Sequence, residues 1–203
     1  GSGKSTLLDL TLRFYDPTNG NIYIDGINLK DLELDSYRRI FGVVPQDVSL
    51  INDSVKNNIV YGREVTEEEL SHAIAVSNSQ DFIAKLPDGI DTHIGERGVK
   101  LSGGQKQRLS IARAIVSDPE ILIFDEATSS LDSDSELKVQ NAIENVLKNK
   151  SAIIVAHRMS TIKNSDQIIV MTENGIDSVG KHEDLLISSE TYRNLYSTQF
   201  DIS

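Results

Sequence analysis

The chain opens with GSGKST, Gly1–Thr6. This is the second half of the pattern G-x-x-x-x-G-K-[ST], a glycine-rich loop that joins a strand to a helix and cradles phosphate. Gly1 and Gly3, with Ser2 between them, let the backbone approach phosphate oxygens. A helix starting near Lys4 turns its positive end toward them. On this reading Lys4 reaches the β- and γ-phosphates, the Ser5 hydroxyl binds Mg²⁺ and Thr6 holds the α-phosphate. The first glycine of the pattern and its strand are missing from the sequence. A piece of a longer protein, binding nucleotide weakly on its own, is therefore expected.

Working outward, Lys4–Phe14 carries Leu7, Leu8, Leu10 and Leu12 without a breaker and reads as the helix after the loop. DPTNG (Asp16–Gly20) is turn chemistry, and NIYIDG alternates Ile22 and Ile24 as a short half-buried strand does. IFGVV (Ile40–Val44) reads as a buried strand stopped by Pro45 and Gln46. From about Asp47 to Lys100 the pattern is mostly helical, with Thr66 and Glu69 at capping-box spacing. GGQKQRLSIARAIVSD then gives a helix with Leu109, Ala112, Ile115 and Val116 on its apolar side. Ile121–Phe124 is an apolar strand suited to a sheet covered on both faces. Ser133 and Glu136 have capping-box spacing ahead of a helix over Leu137–Lys148, and SAIIVAH and QIIVM read as two further buried strands. Strands alternating with helices imply a three-layer α/β fold around a mostly parallel sheet, a P-loop NTPase core with a helical subdomain inserted at about 47–100.

Composition narrows the field. A chain of 203 residues, 38% hydrophobic, suits one soluble-type domain. No apolar run approaches the ~18 residues of a membrane span. Zero cysteine excludes disulfides and thiolate metal sites, and a net charge of −11 argues against a nucleic-acid surface. His72, His93 and His182 do not share ligand spacing, and Tyr15, Tyr23, Tyr37 and Tyr61 read as packing residues.

ILIFDE puts two acids where a strand of a parallel sheet ends, the edge at which such folds bind ligands. Asp125 suits Mg²⁺, and Glu126, facing the other way, suits an attacking water as general base. LSGGQ (Leu101–Gln105) supplies a second anion site: Ser102 caps a helix whose first N–H groups are left bare by Gly103 and Gly104. A single domain with one nucleotide has no use for two phosphate sites. A pair of domains that share nucleotides does.

With these motifs in order along nearly the whole chain, the sequence resembles the nucleotide-binding domain of ATP-binding cassette proteins. LSGGQKQR is similar to the family's signature. The resemblance implies two domains packed head to tail, so that ATP and Mg²⁺ lie between one phosphate loop and the partner's signature. Ser102, Gly103, Gly104 and Gln105 then act in trans. It also implies that Gln46, in VVPQD, contacts Mg²⁺ and the water. Asp132, in SSLD, communicates across the dimer, and His157, in IIVAHR, touches the γ-phosphate. The family's adenine-stacking aromatic lies upstream of this sequence.

DVSLINDSVKNNIVYG, GERGVKLSGGQKQR and FYDPTNGNIYIDG resemble the exporter branch, in which a transmembrane domain is fused ahead of the ATPase. Membrane association with this domain on the cytoplasmic face follows. The segment after Gln46 is then expected to pack against intracellular helices, and Glu96 and Arg97 to contact the partner's membrane domain. Homodimer and heterodimer stay open, as does a soluble, regulatory or DNA-associated cassette ATPase. ENGIDSVGKHEDLL is a residue shorter than the usual exporter hairpin, with Ile176 where a basic residue is common.

Overall fold

The structure, a computed structural model, describes residues 2–125, 133–148, 150–155 and 162–200. In chain order its helices are α1 (Lys4–Thr11), α2 (Leu34–Arg39), α3 (Val55–Val60), α4 (Glu67–Val76), α5 (Gln80–Ile83), α6 (Gly103–Ile115), α7 (Ser133–Leu147), α8 (His182–Ser188) and α9 (Glu190–Phe200). The strands are β1 (Tyr23–Ile24), β2 (Ile27–Asn28), β3 (Phe41–Val44), β4 (Ile121–Asp125), β5 (Ser151–Val155), β6 (Ile168–Thr172) and β7 (Gly175–Gly180). The chain forms two compact units: Gly1–Arg38 with Val155–Ser203, and Arg39–Ile154.

In the first unit α1 starts at Lys4, as the loop pattern predicts, but stops at Thr11, short of Phe14. Arg13 takes a left-handed φ of 53°. The Phe14 N–H then reaches back to the Asp9 carbonyl and the Arg13 N–H to that of Leu10, the bonding of a Schellman cap. What holds a non-glycine residue in that conformation is its own side chain. The guanidinium donates to the carbonyls of Leu29 (2.9 Å) and Leu32 (3.0 Å), tying the helix end to the next loop.

NIYIDG forms more than the single strand expected. Asp25 and Gly26, both with positive φ, make a two-residue turn, and β1 pairs with β2 as an antiparallel hairpin. The Asp-Gly pair is the signal that carries this. A second antiparallel hairpin, β6–β7, has an irregular register between Val170 and Met171, which pair with Ser178 and Ile176 and leave Asp177 unpaired in the ladder, inside the stretch where the sequence departs from the exporter pattern. Its inner face (Ile168, Val170) packs with Leu185 of α8 and Tyr192 of α9. Ile169 faces outward, so QIIVM is half-buried and not the fully buried strand expected.

The second unit is organised around the sheet order β3-β4-β5, with β3 and β4 parallel and Val44 opposite Phe124. Val44, Leu122 and Phe124 share a core with Ile111 and Ala114 of α6 and Val139, Ala142, Ile143 and Val146 of α7. Helix α6 also serves a second core. Leu109, Ala112 and Val116 pack with Val55, Ile59, Leu70, Ala73 and Phe82 of the region at 47–100, which is helical in short pieces. The apolar stripe legible in the sequence is thus one of two buried faces of α6. SAIIVAH is not the buried strand expected either: Ser151, Ala152 and Ile153 of β5 are exposed, as befits the end position in the described sheet, and Val155 is buried.

Gly42 is the glycine of this unit with least room for a side chain among the described residues. A Cβ there would lie 2.3 Å from the Ala114 carbonyl oxygen, 2.8 Å from Pro119 Cγ and 2.9 Å from Leu122 Cδ2. Strand β3 and helix α6 therefore meet backbone to backbone. Overpacking of such a contact costs about 1–3 kcal/mol. Gly42→Ala is expected to lose at least that much in urea unfolding of the chain, and a loss under about 0.5 kcal/mol would show that the seam can open.

Candidate nucleotide site

In the first unit the described part of the phosphate loop is Ser2–Thr6. Gly3 adopts φ 84°, a left-handed conformation that glycine takes without strain, and stands as N-cap of α1 with no side-chain cap. Lys4 Nζ folds back to donate to Ser2 Oγ at 3.1 Å. Ser5 and Thr6 are exposed in the first helical turn. The amides of Lys4, Ser5 and Thr6 have no acceptor within the helix, and Leu7 is the first whose N–H does, at Gly3 O (3.0 Å). Backbone donors, an ammonium and hydroxyls thus gather at the positive end of a helix, which is chemistry for a polyphosphate.

In the second unit the parallel register of β3 and β4 brings Gln46 and Asp125 to the same, carboxyl edge of the sheet. Gln46 follows Pro45 immediately after β3 and is exposed; Asp125 ends β4 and is half-buried. Gln46 and Asp125 both offer oxygen at that edge, the ligand type a hard cation such as Mg²⁺ takes. Gly1, Glu126, Asp132 and His157 lie outside the described residues.

The helix-start reading of LSGGQ is realised in a full capping box. Ser102 Oγ accepts from the Gln105 N–H (3.3 Å), and Gln105 Oε1 accepts from the Ser102 N–H (2.9 Å). The amides of Gly103 and Gly104 are left at the helix start without intrahelical acceptors. Ser102 and Gly103 are exposed, whereas Gly104 is buried.

The rest of the signature stretch anchors α6. Gln107 is buried and its Nε2 donates to Pro45 O at 3.5 Å, beside Gln46. Arg108 is buried, donates to Asp81 Oδ1 (2.7 Å) and to the Asn78 carbonyl, and stacks over the Phe82 ring. Partial burial opposes the charged form of Asp81. The hydrogen bond and charge of Arg108, helped by the Phe82 amide and Lys138, outweigh it and hold the carboxyl below its ordinary pKa. A depressed folded-state pKa stabilises the fold fully above the unfolded value and loses that contribution as pH falls through the folded one. The stability gap between wild type and Asp81→Asn is therefore expected to be widest at neutral pH and to close as pH drops below about 4. A gap constant from pH 7 to pH 3 in urea titrations would contradict this.

A second anchor could not be read from the sequence. Asn58, fully buried, donates from Nδ2 to the carbonyls of Ile51 and Ser54 (both 3.0 Å) and accepts at Oδ1 from the Ile51 N–H (2.9 Å). Arg113 of α6 donates to Asn58 O (2.7 Å), Asn58 Oδ1 (3.1 Å) and Ser49 O (2.8 Å), with its guanidinium 4.5 Å from the Tyr61 ring centroid. The segment following Gln46 is thereby fixed to the helix that begins with the signature. Tyr61 consequently lies open on the surface over Arg113, and Tyr15 and Tyr23 are exposed too. Of the four tyrosines expected to pack, Tyr37 alone is buried. His72 and His93 are exposed, and His182 opens α8 with Nδ1 2.8 Å from Tyr192 Oη.

A sequence model of the ABC transporter family matches residues 1–129. The chain is 49% identical over 201 residues to an ATP-dependent lipid A-core flippase of Syntrophus aciditrophicus, covering 98% of this chain and 33% of the flippase. It is 51% identical over 200 residues to a putative multidrug export ATP-binding/permease protein of Staphylococcus aureus (strain NCTC 8325 / PS 47), covering 98% of this chain and 35% of that one. Among solved structures, a bacterial Atm1-family ABC exporter with ATP bound superposes with a TM-score of 0.89 at 44% identity, over 98% of this chain and 35% of that one. The chain thus spans about a third of the length of the curated relatives it matches. The α/β fold is shared with about a third of that exporter, and the stretch matched by the family model includes both GSGKST and LSGGQ. By family, then, this chain is one of the ABC transporters, and within them a nucleotide-binding domain.

Proposed function

We propose that the chain is the ATP-hydrolysing motor of an exporter, one of two such domains that close around two ATP–Mg²⁺ and part again after hydrolysis. The observation that carries this is the pair of helix starts, α1 behind Gly3 and α6 behind Ser102, each with amides that no intrahelical acceptor takes up. One phosphate loop and one signature from different copies complete a composite site. Lys4 neutralises charge on the β- and γ-phosphates and Thr6 holds the α-phosphate. Ser5, Gln46 and Asp125 hold Mg²⁺, which offsets the charge that develops in phosphoryl transfer. Glu126 activates water, His157 senses the γ-phosphate, and Ser102, Gly103, Gly104 and Gln105 close the site from the partner. Asp132 communicates between the two domains. In this reading the domain sits on the cytoplasmic face of a membrane, with a transmembrane domain fused ahead of it; the staphylococcal relative's name, which joins ATP-binding and permease, supports such a fusion. Among the described residues no helix is long and apolar enough to cross a membrane. The whole stretch Gly1–Ser203 acts as one ATPase domain carrying a helical subdomain at about 47–100.

Complementation tests the shared site. For a pair of identical full-length chains, Lys4→Ala and Gly103→Asp each disable both composite sites and are expected to abolish ATP turnover. Mixed chains restore one intact site per mixed pair, because both lesions fall in the other. Activity that returns on mixing supports the reading, and mixtures as inert as their parents sink it.

A further inference from the structure

The two signature glycines answer to different constraints, and the geometry points to Ser135 as a positioning residue for the signature. Gly104 lies in the first turn of α6, with no positive φ to demand a glycine. Glycine is a poorer helix former than alanine, so its presence there needs a reason. Space supplies one. A Cβ on Gly104 would lie 2.6 Å from Ser135 Cβ, 2.9 Å from its Oγ and 3.4 Å from its Cα.

Further along, Ile111 and Ala114 of α6 share a core with Val139, Ala142, Ile143 and Val146 of α7. The helices therefore run side by side with their starts together, and the Gly104–Ser135 contact sets how close those starts come. Ser135 is the wall behind Gly104, on the face of that residue turned toward α7. Gly103, one position earlier, is exposed. Ser135 thus acts on the nucleotide only through the position of the Gly104 amide. This inference rests on the proposed role of Ser102–Gln105 toward ATP.

A substitution on one side and a compensating one on the other test it in the full-length protein. A misplacement of ~1 Å at a reacting site costs about 10²-fold. Gly104→Ala is accordingly expected to lower ATP turnover by about 10- to 100-fold. Ser135→Gly alone is expected to lower turnover by about two- to fivefold, since opening the wall loosens the placement of the Gly104 amide. The double variant Gly104→Ala/Ser135→Gly should return to the Ser135→Gly rate. Gly104→Ala/Ser135→Ala should not, because the two Cβ atoms still collide. Melting temperatures are read on the same four proteins. If Gly104→Ala does not fold, the same pattern of rescue is expected in the melting temperature. Failure of Ser135→Gly to rescue either readout, or wild-type turnover by Gly104→Ala, overturns the inference. If wild type itself hydrolyses no ATP, the proposed function fails, and the melting pattern alone then decides the seam.

Discussion

Glu126→Gln in the full-length protein is expected to slow ATP hydrolysis by about 10²- to 10⁴-fold while ATP still binds, the loss typical of removing a general base. The reason begins with β4. Leu122, Ile123 and Phe124 are buried, so the strand is held on both faces and delivers its last residues to the sheet edge in a fixed register. Asp125 ends that strand beside the exit of β3, where Gln46 stands. In the proposed mechanism the two neighbouring acids have separable roles, Asp125 toward Mg²⁺ and Glu126 toward water, as alternation along a strand would allow. Glutamine keeps the shape of glutamate but cannot take a proton at neutral pH. The variant should therefore accumulate ATP-bound closed dimers, seen as retained nucleotide and absent phosphate release. Asp125→Asn, by contrast, should weaken Mg²⁺-dependent binding itself. Unchanged turnover in Glu126→Gln would remove that residue from the mechanism.

Arg113→Ala is expected to destabilise the chain by about 2–4 kcal/mol, from hydrogen bonds to a charged donor lost at sheltered carbonyls. The side chain makes three such bonds, two to Asn58 and one to Ser49, and packs on Tyr61. Removing it strands an acceptor on Asn58, whose other polar atoms are already committed to Ile51 and Ser54. Arg113→Lys should fall between, because one ammonium cannot address three carbonyl-type oxygens in the planar fork arrangement. Asn58→Ala should cost a similar amount, and the double variant less than the sum, since both lose the same bonds. Chaotrope unfolding measures all four. An Arg113→Ala loss below about 0.5 kcal/mol, or strict additivity with Asn58→Ala, would show that the brace carries no weight. Functionally the brace joins the segment after Gln46 to the helix that opens with the signature. Displacement of one should carry the other.

The residues forming this brace show why part of the site could not be read from the chain. SVKNNIVYG advertises a helix start, and the structure confirms it at Ser54, whose Oγ accepts from the Asn57 N–H at 3.1 Å. Nothing in the spelling distinguishes Asn57, exposed, from Asn58, fully buried. That distinction depends on a helix that begins dozens of residues later. Likewise LSIARAIV presents an apolar stripe at Leu109, Ala112, Ile115 and Val116, but Ile111 and Ala114 are buried as well, because α6 lies between two cores.

By itself the sequence determined what local backbone chemistry controls. The helix start at Lys4, the capping box at Thr66, the cap at Ser102 and the strand stopped at Pro45 were all legible, since each depends on residues within a few positions of one another. The motif spacing also determined the family, which the comparisons establish independently. Only the tertiary structure decided that Gly42 and Gly104 are demanded by space and not by φ, that β5 is exposed at its start, that Tyr61 shields an arginine, and that Asn58 and Arg113 lock together. Those outcomes depend on what distant segments place against a residue, and a side chain's surroundings are not a local property of the chain.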